Sequence, residues 1–308
     1  EKRDMVVLLD LHNYCRRYMN NEHTLIGNNG LTIGDLASFW QAIAKEFSTF
    51  KNIYGYGLMN EPHDLTPETS WFDMAQASIN AIREVDTNTL IMVGGNDWSS
   101  AERWIEQSDT LKYLKDPANN LAFEAHVYFD KDASGTYKYS YEEEECYLEK
   151  GIDRVKPFVE WIKQNKFHGF IGEYGIPDND PRWNETLDLF LGYLQENGIN
   201  GTYWAAGPWW DSYFMAITPK DGKDRPQMPI IEKYTSTFKK QNYVQKVLHL
   251  LHFIYVLFNW NFCSRRPVDR KCHESIQRKF KGKFFRTLSG IHRWNSFSLH
   301  RRYSMGTH

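Results

Sequence analysis

Six short apolar, β-prone runs punctuate the chain, at Met5–Leu11, Ile53–Asn60, Thr89–Gly95, Leu121–Phe129, His168–Glu173 and Gly201–Ala206, and amphipathic stretches separate most of them. A chain that alternates in this way has few folds open to it. Parallel neighbours need a crossover long enough to hold a helix, and that helix must bury one apolar stripe against the sheet. Leu36, Phe39, Trp40, Ile43 and Phe47 recur at helical spacing after the first run, and Phe72, Ala75, Ile79 and Ile82 do so after the second. Leu187, Phe190, Leu191 and Leu194 form a third stripe, closed by Gly198 at a C-terminal cap. One-sided helices between apolar strands predict a parallel α/β barrel with its helices outside. A full eightfold barrel takes about 250 residues, or roughly 31 per βα unit. Six runs in about 200 residues fall two units short on the same arithmetic.

Two of the runs end in a carboxylate at a chain break: Gly57-Leu58-Met59-Asn60-Glu61-Pro62 and Gly169-Phe170-Ile171-Gly172-Glu173-Tyr174-Gly175. Both glutamates are therefore expected where a strand gives way to a loop, which is where a barrel keeps its chemistry. Two such carboxyls are what cleavage of a glycosidic bond requires, one to protonate the leaving oxygen and one to attack or to activate water. A single Asn-Glu-Pro is more often an ordinary turn. The weight comes from its occurring with Glu173 and with polar residues at the other strand ends.

The net charge of −2 conceals an asymmetry. Residues 1–238 carry 22 Lys and Arg against 37 Asp and Glu, whereas residues 239–308 carry 15 against 2. The chain is thus expected to divide into a barrel over 1–238 and a basic tail over 239–308. The tail lacks a helical period or a nucleic-acid-binding motif, so it reads as non-native or disordered sequence rather than a nucleic-acid module. Its apolar stretch 247–260 is shorter than the roughly 20 residues a membrane span requires. Cys15, Cys146, Cys263 and Cys272 are too scattered to define a disulfide framework or a zinc site. Asp130-Lys131-Asp132-Ala133-Ser134-Gly135 opens like a calcium loop, but its twelfth position is Tyr141 where a glutamate is needed, so no metal is expected. The acidic run Glu142–Glu145 reads as a solvated loop. Trp40, Trp71, Trp104 and Trp161 read as packing residues. Trp98, Trp204, Trp209 and Trp210 follow strand-like runs, where flat aromatic faces are available to stack on pyranose rings.

The strand-end motifs together resemble glycoside hydrolase family 5, the cellulase family. They run Asp10-Leu11-His12-Asn13-Tyr14, Asn60-Glu61-Pro62, Gly94-Gly95-Asn96-Asp97-Trp98, His126-Val127-Tyr128, Gly172-Glu173-Tyr174-Gly175 and Tyr203-Trp204, six in order over approximately residues 4–238. The resemblance implies a (β/α)₈ TIM barrel whose strands here correspond to the family's third to eighth. The first two βα units are lacking, and with them an arginine that supports the nucleophile. It implies Glu61 as acid/base and Glu173 as nucleophile of a retaining hydrolase with no cofactor, Asn60 on the sugar 2-hydroxyl, and His12 and His126 orienting sugar and carboxylates. Tyr128 would hold Glu173, Trp204 would be a sugar platform, and Asn13, Trp98, Trp209 and Trp210 join the candidate binding residues. Glu61 is then expected to keep its proton, raised by burial and by the charge of Glu173, while Glu173 stays ionised.

The sequence around Trp98 and Ala205–Trp210 looks most like bacterial endo-β-1,4-glucanases. The expected activity is endo-cleavage of cellulose or a related β-glucan. Another β-glycanase, such as a mannanase or xyloglucanase, and an inactive glycan-binding fragment are the alternatives. The resemblance further implies a secreted monomer with a β-glucan polysaccharide as substrate and no nucleic-acid or membrane partner.

Overall fold

The computed structural model describes residues 6–19, 21–210, 212–241 and 254–257. All of them lie in the first of two units into which contacts divide the chain, residues 1–264. The six expected strands are present as β1 (Val7–Asp10), β4 (Ile53–Gly57), β5 (Leu90–Gly94), β6 (Leu121–His126), β7 (His168–Tyr174) and β8 (Asn200–Tyr203). A hairpin, β2 (Arg16–Met19) with β3 (Glu22–Leu25), stands outside this set. The helices are α1 (Ile33–Phe47), α2 (Trp71–Arg83), the short turns α3 (Asn96–Ser99) and α4 (Trp104–Ser108), α5 (Lys150–Asn165), α6 (Pro181–Glu196) and α7 (Met228–Gln241).

The strands pair in parallel in the order β8-β7-β6-β5-β4-β1, a curled part of a barrel wall. A further strand, β9 (Ile254–Leu257), pairs in parallel with β1, from Val7 opposite Ile254 to Asp10 opposite Leu257. The tetrapeptide Ile-Tyr-Val-Leu of the basic tail thus supplies hydrogen-bond partners to an edge that would otherwise present bare backbone groups. The rest of the expected tail, 242–253 and 258–308, lies outside the described residues. No helix among the described residues is long and apolar enough to cross a membrane.

Each expected helical stripe faces inward. Thr32 and Asp35 cap α1 reciprocally, and Leu36, Phe39, Trp40, Ile43 and Phe47 are buried on it. Asp180 caps α6 ahead of Pro181, and Leu187, Phe190, Leu191 and Leu194 are buried. On α2 Ala75, Ile79 and Ile82 are buried as expected, but at its start Trp71 is the buried residue and Phe72 is only half-buried. The Trp71 indole N–H reaches the carbonyl of Gly94 at 2.7 Å, and the Trp40 indole reaches that of Leu58 at 3.0 Å, so both tryptophans pin helices to strand ends. Trp104 and Trp161 pack edge to face at 5.4 Å, as packing residues should. Inside the sheet Leu8, Met92, Ala122 and Phe170, one from each of four strands, form a buried apolar layer. Above that layer, at the carboxyl ends of the strands, the side chains become polar.

Candidate active site

Two strands use the same two-residue device. Side chains two apart on a strand share a face, so Asp10 lies beneath His12 at the end of β1 and Glu124 beneath His126 at the end of β6. The His12 Nδ1 is 3.1 Å from Asp10 Oδ2, and the His126 Nε2 is 3.2 Å from Glu124 Oε1. The free nitrogen of His12, Nε2, faces the Asn60 amide at 3.2 Å and the Tyr14 hydroxyl at 3.1 Å. Both can donate, which makes Nε2 the acceptor. The other nitrogen of His126, Nδ1, lies 2.7 Å from Glu61 Oε1 and 3.7 Å from Glu173 Oε2. With carboxylates on both nitrogens, His126 fits as an imidazolium. Burial opposes that charge, but the charge of Glu173 and the hydrogen bonds to Glu124 and Glu61 outweigh it and hold the His126 pKa well above its ordinary value.

Glu173 is buried near the end of β7, and the Tyr128 hydroxyl donates to its Oε2 at 2.7 Å. Its other oxygen, Oε1, has no hydrogen-bond partner among the described residues. Burial pushes the Glu173 carboxyl up to about 7; the charge of His126 opposes this rise and that of Glu61 adds to it. In the unliganded site burial thus works against the ionised Glu173 that the sequence leads one to expect. Glu61 follows β4 in a turn where its own φ is +46°, a region L-residues rarely adopt, and it is more exposed than Glu173. One oxygen of Glu61, one of Glu173 and a His126 nitrogen all lie within 4.8 Å of one another. Such a trio could hold a metal ion, but an imidazolium between carboxylates has no lone pair to offer one.

The pair needs room, and two glycines supply it. A Cβ on Gly172 would fall 1.9 Å from Glu124 Oε1, and one on Gly175 would fall 2.4 Å from the Trp204 carbonyl oxygen. Gly172→Ala is expected to dislodge the carboxylate that anchors His126 and to lower stability by about 1–3 kcal/mol, the usual cost of overpacking. Urea denaturation checks it, and an unchanged midpoint would mean that Glu124 moves aside freely.

Aromatic residues flank the pair. Trp204 stacks on His12 with ring centroids 5.6 Å apart and planes 12° apart, and Trp210 meets it edge-on at 5.0 Å. Trp98, which lines a cleft with Glu61, is 41 % exposed and stacks on His63 at 4.4 Å and 13°. It sits in α3, where Asp97, Trp98 and Ser99 all have φ near +55° (54°, 56° and 54°). Successive left-handed residues cost roughly 1–2 kcal/mol each, so the turn is held by its surroundings. A cleft of about 660 Å³ opens beside Glu61, His126 and Tyr128 and runs past Trp98.

Of the residues singled out in the sequence, the structure brings together His12, Asn60, Glu61, His126, Tyr128, Glu173, Trp204 and Trp210, with Trp98 on the adjoining cleft. Two stand differently. Asn13 is buried behind the loop, donating its backbone N–H to Leu11 O at 3.0 Å, and Trp209 is 86 % exposed. Asp10, Tyr14, His63 and Glu124 belong to the cluster without having been singled out as site residues. Asp10 and Glu124 carried a signal, a carboxylate two positions before a strand-end histidine. Two further expectations resolve in the loop after β6. Asp130 is buried and its carboxylate accepts from the backbone N–H groups of Gly135, Thr136 and Tyr137 at 3.1, 2.9 and 3.2 Å, so the calcium-like segment is closed by its own backbone. Within the acidic run, Glu144 is buried and not solvated, because it accepts from the N–H groups of Lys131 and Tyr139, both at 2.8–2.9 Å.

The chain matches known proteins over this same region. It is 33% identical over 232 residues to endo-β-1,4-glucanase B of Aspergillus niger, covering 74% of this chain and 65% of that protein. It is similar to the crystal structure of Pseudomonas stutzeri endoglucanase Cel5A in complex with cellobiose, with a TM-score of 0.68 and 42% identity over 74% of this chain and 67% of that one. Cel5A (EG2) of Hypocrea jecorina superposes with a TM-score of 0.62 at 27% identity, over 72% of this chain and 68% of that one. The chain spans about two thirds of the length of these relatives. The Cellulase (glycosyl hydrolase family 5) description matches residues 1–209, which include both glutamates, both histidines and Trp204, and the chain belongs to that family.

Proposed function

We propose that this chain is the catalytic portion of an endo-β-1,4-glucanase that cleaves β-glucan chains with retention of configuration. The observation that carries the reading is the approach of Glu61 and Glu173 to within 4.8 Å, from the ends of two strands three steps apart in the sheet. Retaining enzymes place their carboxyls about 5–5.5 Å apart, whereas inverting ones leave about 6.5–9.5 Å for a water. Glu61, at the edge of the open cleft, protonates the glycosidic oxygen, and Glu173 attacks the anomeric carbon from beneath. Glu61 then takes a proton from water, which displaces Glu173 and releases the sugar.

The remaining residues serve that exchange. Tyr128 and His126 stabilise the Glu173 carboxylate against the burial that raises its pKa to about 7, and a glycosyl cation developing beside it favours the same ionised form. Asn60, braced by His12, presents its Oδ1, which has no partner among the described residues, to a sugar hydroxyl. Trp204, backed by His12 and Trp210, offers a flat face to a pyranose. The polymer is too large to enter a cell, so we place the work outside it, with the enzyme acting as a monomer.

Proton NMR of cellopentaose hydrolysis tests the stereochemistry. The β-anomer is expected first, decaying to the α/β mixture, and prompt α-anomer would overturn the retaining assignment. Carboxymethylcellulose is expected to release reducing ends faster than mannan; the reverse order would make this a mannanase.

A further inference from the structure

The cleft beyond Glu61 has a wall that the proposed mechanism does not use, and its construction begins far from the glutamates, in the β2–β3 hairpin. Arg16, the first residue of β2, turns its guanidinium back across the strand ends. Its Nη1 lies 2.6 Å from the Tyr14 carbonyl and 3.2 Å from His63 Nε2, and its Nη2 lies 3.1 Å from the His63 carbonyl. A guanidinium only donates, so His63 Nε2 accepts and the ring proton sits on Nδ1, which faces Asp64 Oδ2 at 2.8 Å. Both ring nitrogens and the backbone of His63 are thereby fixed. One face of the ring is stacked on Trp98, and the Tyr14 ring meets His63 edge-on at 5.8 Å. The Trp98 backbone N–H donates to the Pro62 carbonyl at 3.2 Å, and the residue stands in a left-handed turn without glycine.

We propose that Arg16 and His63 are positioning residues that hold the Trp98 ring as a sugar-stacking wall on the leaving-group side of the cleft. The side follows from the proposed roles: Glu61, the group that protonates the leaving oxygen, lines this cleft together with Tyr14, His63 and Trp98, whereas Trp204 and His12 are not among its lining residues. With His63 covering one face of the indole, the other is left for a pyranose. The hairpin that stands outside the barrel sheet thus acquires a purpose, which is to deliver Arg16. The inference rests on the glucanase reading for its ligand and not for its geometry.

Two measurements on the full chain test it. The first uses no sugar: acrylamide quenching of Trp98 fluorescence, taken as the difference from a Trp98→Phe protein, is expected to rise in Arg16→Met and His63→Ala and to stay low in His63→Phe, which keeps a stacked ring. Unchanged quenching in Arg16→Met and His63→Ala would overturn the proposal. The second is calorimetric binding of cellotetraose in a Glu173→Ala background. Trp98→Ala and Arg16→Met are each expected to weaken binding roughly three- to tenfold, the scale of one aromatic contact. Arg16→Met should add nothing once Trp98 is alanine, because a positioning residue acts only through the ring it positions. Equal losses from Arg16→Met in both backgrounds would show an independent role and reject the assignment. Absence of cellotetraose binding in the Glu173→Ala parent would count against the glucanase reading, and the quenching result would still decide the positioning one.

Discussion

Glu173→Ala is expected to lower turnover on cello-oligosaccharides by on the order of 10⁴-fold or more, the scale lost when an attacking side chain is removed. Sodium azide should restore part of the rate. The truncated side chain leaves space beneath the anomeric carbon, azide attacks there while Glu61 still protonates the departing oxygen, and the product is an α-glycosyl azide. Glu61→Ala should behave differently. With a substrate whose leaving group needs no proton, Glu173 still forms the glycosyl-enzyme, azide attacks it from the opposite face, and the product is a β-glycosyl azide. The anomeric configuration of the azide thus reports which glutamate attacks, a question that distance alone does not decide. Full activity in Glu173→Ala, or β-azide from it, would reverse or remove the proposed roles.

His126→Ala carries the largest expected effect on the protein itself. His126 stands between Glu61, Glu124 and Glu173 with both ring nitrogens engaged. Removing one partner of a buried charged group leaves the others uncompensated, at a cost of about 3–5 kcal/mol. The sign with pH follows from the shifts. The His126 pKa is raised in the folded protein, so its stabilising contribution is complete below its ordinary value near 6.5 and is lost as pH rises through its folded value. Glu173 is also raised, to about 7, which favours its neutral form, so the fold loses stability as pH climbs from its ordinary value of 4.5 through about 7. Without the imidazolium the Glu173 carboxyl should titrate higher still, because the charge of His126 is what opposes burial most. Urea midpoints at several pH values check this: the deficit of His126→Ala should be full below pH 6.5 and shrink as the pH rises above it, where the native protein loses the His126 contribution. A deficit independent of pH would mean that His126 contributes packing rather than charge.

Much of this arrangement is legible in the sequence because burial leaves a mark there. Strands covered on both faces are short apolar runs, and helices covered on one face are stripes, so six strands and the stripes of α1 and α6 could be placed. What escaped has physical reasons. Trp71 and Phe72 are both apolar at the start of α2, and only the rotation of the helix against the sheet decides that Trp71 is the one buried. The hairpin reads Arg-Arg-Tyr-Met against Glu-His-Thr-Leu, with no apolar face to announce it. Glu144 looks solvated beside Glu142, Glu143 and Glu145, and the backbone N–H groups that bury it come from residues whose loop conformation the sequence does not specify. Trp209 and Trp210 are adjacent and identical, yet one turns to solvent and the other packs on Trp204. The three left-handed residues of α3 contain no glycine, the usual signal for that conformation.

The raised Glu173 carboxyl was also beyond the sequence. Tyr128 beside Glu173 suggested a carboxylate held ionised, but complete burial outweighs one hydroxyl donor and one imidazolium, and Glu173 Oε1 has no partner among the described residues.

The central claim is that Glu173 forms a covalent bond to the sugar while Glu61 handles the proton. Incubation with an activated 2-deoxy-2-fluoro-β-cellobioside, which slows the second displacement, followed by mass spectrometry of a proteolytic digest, measures it directly. The account predicts one fluorocellobiosyl group on the peptide containing Glu173, lost again when a glycosyl acceptor is added; a label on Glu61, or hydrolysis of the same compound with no labelled intermediate and inverted product, would contradict it.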